Sequence, residues 1–212
     1  MMTGTRAIAG TIAAAFTAAT LLISTPAEAK SKATYVEIDM NLGMTTPLYQ
    51  DMGLALSYGG MIGIGGKLKF LPPRFYFMAG VLHQTFRTQG SHALTGESFS
   101  ARESLLDLSL GLRIVIPIYK GLRIYCDLMA IAAHHVSEVK RDSIGEKKSV
   151  GWLPGGLAAL GVQYRWHRNA STGIRLEGTF YGPLDSAAMK MVGLEPEHNA
   201  KLVLALVQAW YF

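Results

Sequence analysis

Apolar and polar residues alternate with a period of two through most of the chain after residue 35. The clearest run has aliphatic side chains at every second position, namely Leu106, Leu108, Leu110, Leu112, Ile114 and Ile116. Asp107 and Arg113 lie among the residues between them. Successive side chains of a β-strand point to opposite faces, so this pattern predicts strands with one apolar and one polar face. A helical period of 3.6 is almost absent, and an all-β fold is expected.

Eight strands are predicted along the chain. They are Tyr35–Gly43, Gly59–Leu71, Arg74–Arg87, Glu103–Ile118, Gly121–Val136, Gly151–Trp166, Thr172–Gly182 and Ala200–Phe212. The connections alternate between three short ones at Pro72-Pro73, Tyr119-Lys120 and His167–Ser171 and four long ones at Met44–Tyr58, Thr88–Arg102, Ser137–Val150 and Pro183–Asn199. Short turns at one end and longer loops at the other are typical of an eight-stranded antiparallel up-and-down transmembrane β-barrel.

The first 29 residues have the order of a secretory signal peptide. Arg6 precedes an apolar run, and small residues stand at Ala27 and Ala29. We therefore predict cleavage after Ala29, so that the barrel occupies residues 30–212. An uncleaved anchor helix is the alternative. No stretch of about 18 apolar residues follows Ile23, and no helical span is expected in the mature chain.

Composition and charge exclude several classes of protein and of binding site. The 212 residues are enough for one domain, and 50% are hydrophobic while 17% are charged. One cysteine, Cys126, excludes an intrachain disulfide and a cysteine-based zinc site. The net charge of +5 forms no basic stripe, so no nucleic-acid partner is expected. Histidines are scattered, and we predict neither a metal site nor a cofactor.

The chain closes on Trp210-Tyr211-Phe212, at the end of a strand with apolar residues at alternate positions. With the signal peptide and the eight strands, this ending resembles small bacterial outer-membrane barrels of the OmpA, OmpX and opacity-protein type. In that family the barrel-assembly machinery recognises the last strand, and the resemblance gives this role to Leu206, Trp210 and Phe212. It also implies an outer-membrane location, with membrane lipid and lipopolysaccharide as surroundings.

The polar face of the strands carries charges at mid-strand. If the apolar face meets lipid, the interior is lined by Glu37, Asp39, Lys67, Asp107, Arg113, Arg123, Asp127, Arg175 and Glu177. Eight strands leave just enough width for side chains to fill the barrel, so ion pairs are expected there and an open pore is not. Alternation alone does not say which face is inside. A soluble periplasmic lipocalin-like binding barrel with an apolar interior is therefore an alternative.

A hydrolase is a second alternative, because histidine, serine and glutamate occur together at 134–138. These are the side chains of a base, a nucleophile and an orienting carboxylate. The His135-x-Ser137 spacing resembles that of outer-membrane lipid A deacylases, and the resemblance implies His135 and Ser137 as catalytic residues with Glu146 or Glu138 as the orienting group.

A basic cluster in the same region suggests recognition at the surface. Lys140, Arg141, Lys147 and Lys148 stand among acidic residues and could contact lipopolysaccharide phosphates. A surface protein partner is also possible. The function we predict is a non-enzymatic structural or surface-interaction role in the cell envelope.

Overall fold

Eight antiparallel strands close into a barrel. The computed structural model describes residues 34–49, 52–67, 74–91, 96–141, 143, 145–183, 186–194 and 199–212. The strands are β1 (Thr34–Thr45), β2 (Ala55–Lys67), β3 (Arg74–Ser91), β4 (Ser98–Tyr119), β5 (Leu122–Arg141), β6 (Gly145–His167), β7 (Ala170–Tyr181) and β8 (Ala200–Tyr211), and a short helix, α1 (Ala187–Lys190), precedes β8. Each strand pairs with the next, and β8 pairs with β1. The predicted fold class is confirmed, while the predicted signal peptide, residues 1–29, lies outside the described residues.

Closure explains how this chain can present a sheet to hydrocarbon. Every unpaired backbone group in lipid costs several kcal/mol, and an open sheet would have two unpaired edges. The first strand pairs with the last, from the Glu37–Tyr211 pair to the Thr45–Val203 pair, and this pairing removes both edges. In the part of the chain that the structure describes, no helix is long and apolar enough to cross a membrane.

The apolar face of the sheet points outward. The large exposed side chains include Leu110, Leu112, Leu128, Leu160, Ile174, Leu204 and Leu206, contributed by β4 to β8. The charged residues between them are buried inside the barrel, with Arg113 and Asp127 fully covered. This sidedness is the reverse of that of a soluble barrel, so the lipocalin-like alternative with an apolar ligand cavity is wrong.

The tight turn between β4 and β5 lies at the end of the barrel that carries the chain termini, and it depends on a glycine. β4 and β5 are joined through Lys120 and Gly121, which have φ angles of 25° and 94°. Glycine adopts such positive angles without strain, and a Cβ at Gly121 would lie 2.7 Å from the carbonyl oxygen of Arg165. The backbone N–H of Arg165 donates to the carbonyl oxygen of Gly121 at 2.8 Å, which ties this turn to β6.

Two of the long loops predicted from the sequence are wrong. Segments 88–102 and 137–150 are largely strand, because β3 pairs with β4 as far as Ser91 and Ser98, and β5 pairs with β6 as far as Arg141 and Gly145. These segments lose the apolar alternation, since both of their faces carry polar residues, yet the backbone pairing continues. Hydrophobic alternation follows the surroundings of a strand and not its hydrogen bonds.

The extended hairpins form a projecting sheet, which we define as residues 85–91, 98–104, 136–141 and 145–154. β2 reaches β3 only as far as the Ser57–Gln84 pair, and β7 reaches β6 only as far as Tyr181–Gly155. The four strands β3 to β6 therefore continue alone beyond the closed ring. β4 has 22 residues and β6 has 23. At about 3.4 Å per residue each is roughly 70 Å long, far more than an apolar band about 25 Å tall requires even with tilt.

Two connections fold inward beside the projecting sheet. Leu48, Tyr49 and Met52 follow β1, and Ala188, Met189, Val192 and Leu194 lie in or after α1. All seven are buried in one cluster with Phe86, Leu105, Val139 and Leu153 of the wall. We call these seven residues the plug. They cover the barrel interior at the end opposite the chain termini.

The outward face gives a direct test of contact with lipid. We expect Leu112→Arg to lower the free energy of unfolding in phospholipid vesicles by about 2–4 kcal/mol, because it puts a charge in the apolar band. Val150→Arg is the matched control on the projecting sheet, and it should cost about 1 kcal/mol or less. Leu112 and Val150 are 54% and 56% exposed, so the starting side chains are equally accessible. Equal costs in denaturant titrations would contradict a lipid-facing band.

Candidate functional site in the barrel interior

Arg113 is the centre of an ion-pair cluster near the chain-termini half of the barrel. Its Nε lies 2.7 Å from Asp127 Oδ1, and its Nη1 lies 2.8 Å from Glu37 Oε1. Nη1 also contacts Asp39. These partners come from β1 and β5, on either side of the lumen, so the guanidinium of a β4 residue joins three strands. Buried charges are tolerated when they are paired and hydrogen-bonded in this way.

Glycine opposite a tyrosine makes room for this cluster. Tyr125 stands directly across from Gly161, where a Cβ would come within 2.1 Å of the tyrosine ring. The ring therefore lies over the glycine and packs against Arg113, whose guanidinium carbon is 4.3 Å from the ring centroid. Cation–π packing of this kind adds to the ion pairs where the groups are desolvated.

Arg175 extends the cluster from β7. Its guanidinium contacts Asp127, which is thus shared with Arg113, and its Nη2 lies 2.9 Å from Glu177. Thr179 donates to the same glutamate at 3.1 Å. Arg113 and Arg175 therefore bind four carboxylates in one continuous network, those of Glu37, Asp39, Asp127 and Glu177.

A second polar layer is centred on Asp107. Its Oδ2 accepts hydrogen bonds from Lys201 at 2.5 Å, Tyr181 at 2.9 Å and Gln84 at 3.0 Å. Lys201 lies on β8 and Asp107 on β4, which are directly opposite each other in the ring of eight. Lys201, Tyr181 and Gln84 were not predicted from the sequence. Lys201 could have been, because it lies at an odd-numbered position of the last strand, whereas the outward-facing leucines lie at even-numbered positions.

The proposed hydrolase residues do not form a triad. His135 Nε2 lies 3.0 Å from Glu103 Oε1, and the ring of Tyr49 stacks on the imidazole with centroids 6.3 Å apart. Ser137 Oγ is hydrogen-bonded to Ser186 Oγ and not to the histidine. Ser186 in turn accepts from the backbone of Met189 and so caps α1. His135 and Ser137 therefore position the plug.

Glu146 is wrong as the orienting carboxylate. It pairs in register with Lys140 on the outward side of the hairpin, whereas His135 points into the barrel five pairs further along. Glu103 on the neighbouring strand takes the place beside the imidazole. Glu138, the other candidate, lies 3.1 Å from Lys148. In a paired hairpin, closeness in sequence does not bring residues of opposite parity together.

The four basic residues of the predicted lipopolysaccharide site lie on the β5–β6 hairpin of the projecting sheet. Arg141 pairs with Glu97 at 2.5 Å, and Lys148 pairs with Glu138 at 3.1 Å. Lys140 is exposed on the outward face, and Lys147 stands opposite the buried Val139 on the other face. The four basic residues therefore lie on two different faces of the hairpin, and two of them are paired with carboxylates.

The remaining predicted residues lie at the chain-termini end. Leu206 and Phe212 are exposed, whereas Trp210 is 7% exposed. Trp210 stands across from Ala170, a small residue that is also buried. Arg123 is buried beneath Tyr211, and the side chain of Lys67 lies outside the described residues.

The closed ring, its apolar exterior and its ion-paired interior define a β-barrel of the outer-membrane type. No protein-family model and no curated protein sequence matches the chain.

Solved structures share the fold. A major outer membrane protein from Thermus thermophilus is similar with a TM-score of 0.57 and 11% identity, over 85% of this chain and 100% of that one. The outer membrane protease OmpT from Escherichia coli is similar with a TM-score of 0.50 and 9% identity, over 87% and 99%. Neisserial surface protein A matches with a TM-score of 0.44 and 14% identity, over 85% and 98%. At these identities the likeness shows the fold alone.

The Arg113 cluster is expected to stabilise the barrel. Arg113→Ala should lower the free energy of unfolding by about 3–5 kcal/mol, because it leaves Glu37, Asp39 and Asp127 buried with their main cation removed. Arg87→Ala is the control, since Arg87 is an exposed arginine in the projecting sheet, and its cost should stay within about 0.5 kcal/mol. Similar midpoints for the two variants in denaturant titrations would mean that the buried pairs contribute nothing specific.

Proposed function

We propose that this protein is an integral outer-membrane barrel whose interior is closed and whose projecting sheet is the part that meets the cell's surroundings. The observation that carries the proposal is the contact between Asp107 and Lys201. The two side chains meet at 2.5 Å from strands on opposite sides of the ring, so they cross the full width of the lumen.

Side chains fill the lumen at three further levels. Arg113 of β4 forms hydrogen bonds with β1 and β5, and Arg123 of β5 forms them with β7 and β8. The plug covers the side of Asp107 that faces away from the chain termini. An eight-stranded barrel is just wide enough for side chains to fill. Diffusion of solutes through such an interior is not expected, and a structural or surface-interaction role follows.

The projecting sheet supports the surface role. It extends the barrel at the end of the longer connections, which in outer-membrane barrels is the extracellular end. Lys140 and Lys147 are exposed cations on it and are the candidates for contact with lipopolysaccharide phosphates, since Arg141 and Lys148 already have carboxylate partners. A protein partner on this sheet is equally compatible with its exposed backbone edges.

A hydrolytic function is not favoured. His135 and Ser137 point into the lumen beneath the plug and bond to Glu103 and Ser186, whereas a lipid substrate would approach the outward face of the wall.

Electrical recording tests the closed interior. Purified protein inserted in planar lipid bilayers should give no steady unitary conductance, because side chains cross the lumen at several levels. Replacing both Asp107 and Lys201 by Ala should raise the frequency of openings, while Arg87→Ala should not. A stable open-pore conductance from the wild type would contradict the proposal.

Surface labelling tests which end faces outward. In a Cys126→Ser background, Ser143→Cys lies at the tip of the β5–β6 hairpin and Lys120→Cys lies in the turn at the other end. A membrane-impermeant maleimide should label Ser143→Cys in intact cells and should label Lys120→Cys only after the outer membrane is permeabilised. The reverse pattern would place the projecting sheet in the periplasm.

A further inference from the structure

Three arginines converge at the mouth of the barrel on the chain-termini side. Arg74 is the first residue of β3, Arg123 is the second residue of β5 and Arg165 is near the end of β6. All three share the inward parity of their strands, and Arg74 and Arg123 both act on Arg165 as repelling neighbours. We call them the arginine triad.

Tyrosine rings pack against all three arginines, and one ring is shared by two of them. The guanidinium carbons of Arg123 and Arg165 lie 4.2 and 5.5 Å from the centroid of the same ring, that of Tyr211. These two carbons are therefore less than about 10 Å apart. The guanidinium of Arg74 packs on Tyr35, with its carbon 5.2 Å from that centroid.

The triad differs from Arg113 and Arg175 in having no carboxylate in direct contact, since Glu37 reaches it only through the Tyr211 hydroxyl, which donates to Glu37 Oε1 at 3.4 Å. Arg113 and Arg175 each contact at least two acidic groups. In the described segments, no salt bridge is formed by Arg74, Arg123 or Arg165. Arg123 donates to Ser171 and Tyr211, and Arg165 donates to the backbone carbonyl of His167 at 3.2 Å. Three cations with one indirect carboxylate neighbour are unfavourable unless a further anion joins them.

Buried hydrogen-bond donors around the triad also lack acceptors. Arg123 Nε and Gln163 Nε2 are buried without a hydrogen-bond partner among the described residues, and the buried Tyr76 hydroxyl interacts with Arg74. Arg123 is 6% exposed, Gln163 and Tyr76 are 1% exposed, and Arg123 and Gln163 face each other in register. The other unpartnered atoms are mostly acceptors, on Asp39, Glu103 and Asp107 further in and on Glu37, which faces Tyr211 in register. Unpartnered donors are therefore concentrated at the mouth.

We propose that the arginine triad binds a phosphate-bearing anion that enters the barrel mouth from the side of the chain termini. A tetrahedral phosphate offers enough oxygens to accept hydrogen bonds from more than one guanidinium and from the donors of Gln163 and Tyr76. The phosphate group could be free or could belong to a phospholipid headgroup of the adjacent leaflet. This site goes beyond the proposed function and does not depend on whether the interior conducts.

Calorimetric titration with inorganic phosphate tests the site. The folded barrel in a non-ionic detergent at low ionic strength should bind about one phosphate saturably. Arg165→Gln and Arg74→Gln should each weaken binding about tenfold, the usual loss for one charge-assisted hydrogen bond. Both arginines are only partly buried, and each lacks a carboxylate partner, so the variants should fold; a heat-modifiable band on electrophoresis checks this for each one.

Lys120→Gln and Arg168→Gln are the matched controls. Both remove one exposed cation at the same end of the barrel but outside the triad, and they should change phosphate affinity less than about twofold. If they weaken binding as much as Arg165→Gln, the effect is general attraction and the site does not exist. An absence of saturable binding by the folded wild type overturns the proposal as well.

Nanodiscs distinguish the two sources of phosphate. If the natural ligand is free in solution, phosphate affinity should be the same in phosphatidylcholine discs and in discs that also contain phosphatidylglycerol. If the ligand is an anionic headgroup, the phosphatidylglycerol discs should lower phosphate affinity, and Arg165→Gln should remove that difference. Both results support the triad and assign its occupant.

Discussion

The structure depends on burying charge inside a barrel whose outside is apolar. Side chains bury the interior charges, so each of these charges requires a partner of opposite sign, and Arg113 meets this requirement for three carboxylates at once. The neighbours of Arg113 are fitted to it. Gly161 leaves room for Tyr125 to pack against the guanidinium, and Arg175 gives Asp127 a second cation, because Arg113 also pairs with two other carboxylates.

The charges are arranged in layers along the barrel. The plug is apolar, the next layer pairs Asp107 with Lys201, and the layer below holds Arg113 and Arg175 with their carboxylates. The mouth at the chain termini holds the arginine triad, which Glu37 reaches only through Tyr211. Interior packing closes the lumen, and the arrangement leaves an unbalanced positive end. The two proposed roles lie at opposite ends of the barrel, with the projecting sheet at one end and the arginine triad at the other.

The period-two pattern was sufficient to predict the eight strands, because alternation repeats on every strand, whereas the closed fold was predicted from the alternating connection lengths and the resemblance of the last strand to small outer-membrane barrels. It could not predict where β3 to β6 end, since the hairpins continue as paired backbone after the apolar face has stopped. It also could not assign partners. His135 and Glu103 are 32 residues apart and meet only because β4 and β5 pair in a particular register, whereas Glu146, much nearer in sequence, faces the other side. Lys201 could have been found from its parity alone.

Electrophoresis with and without boiling, on separated inner and outer membranes, tests most directly whether the apolar face meets lipid. The protein should give a band in the outer-membrane fraction that migrates faster before boiling than after it, because a closed barrel resists detergent until it is heated. A protein recovered from the soluble periplasmic fraction, with one mobility in both samples, would contradict the outward orientation of every strand.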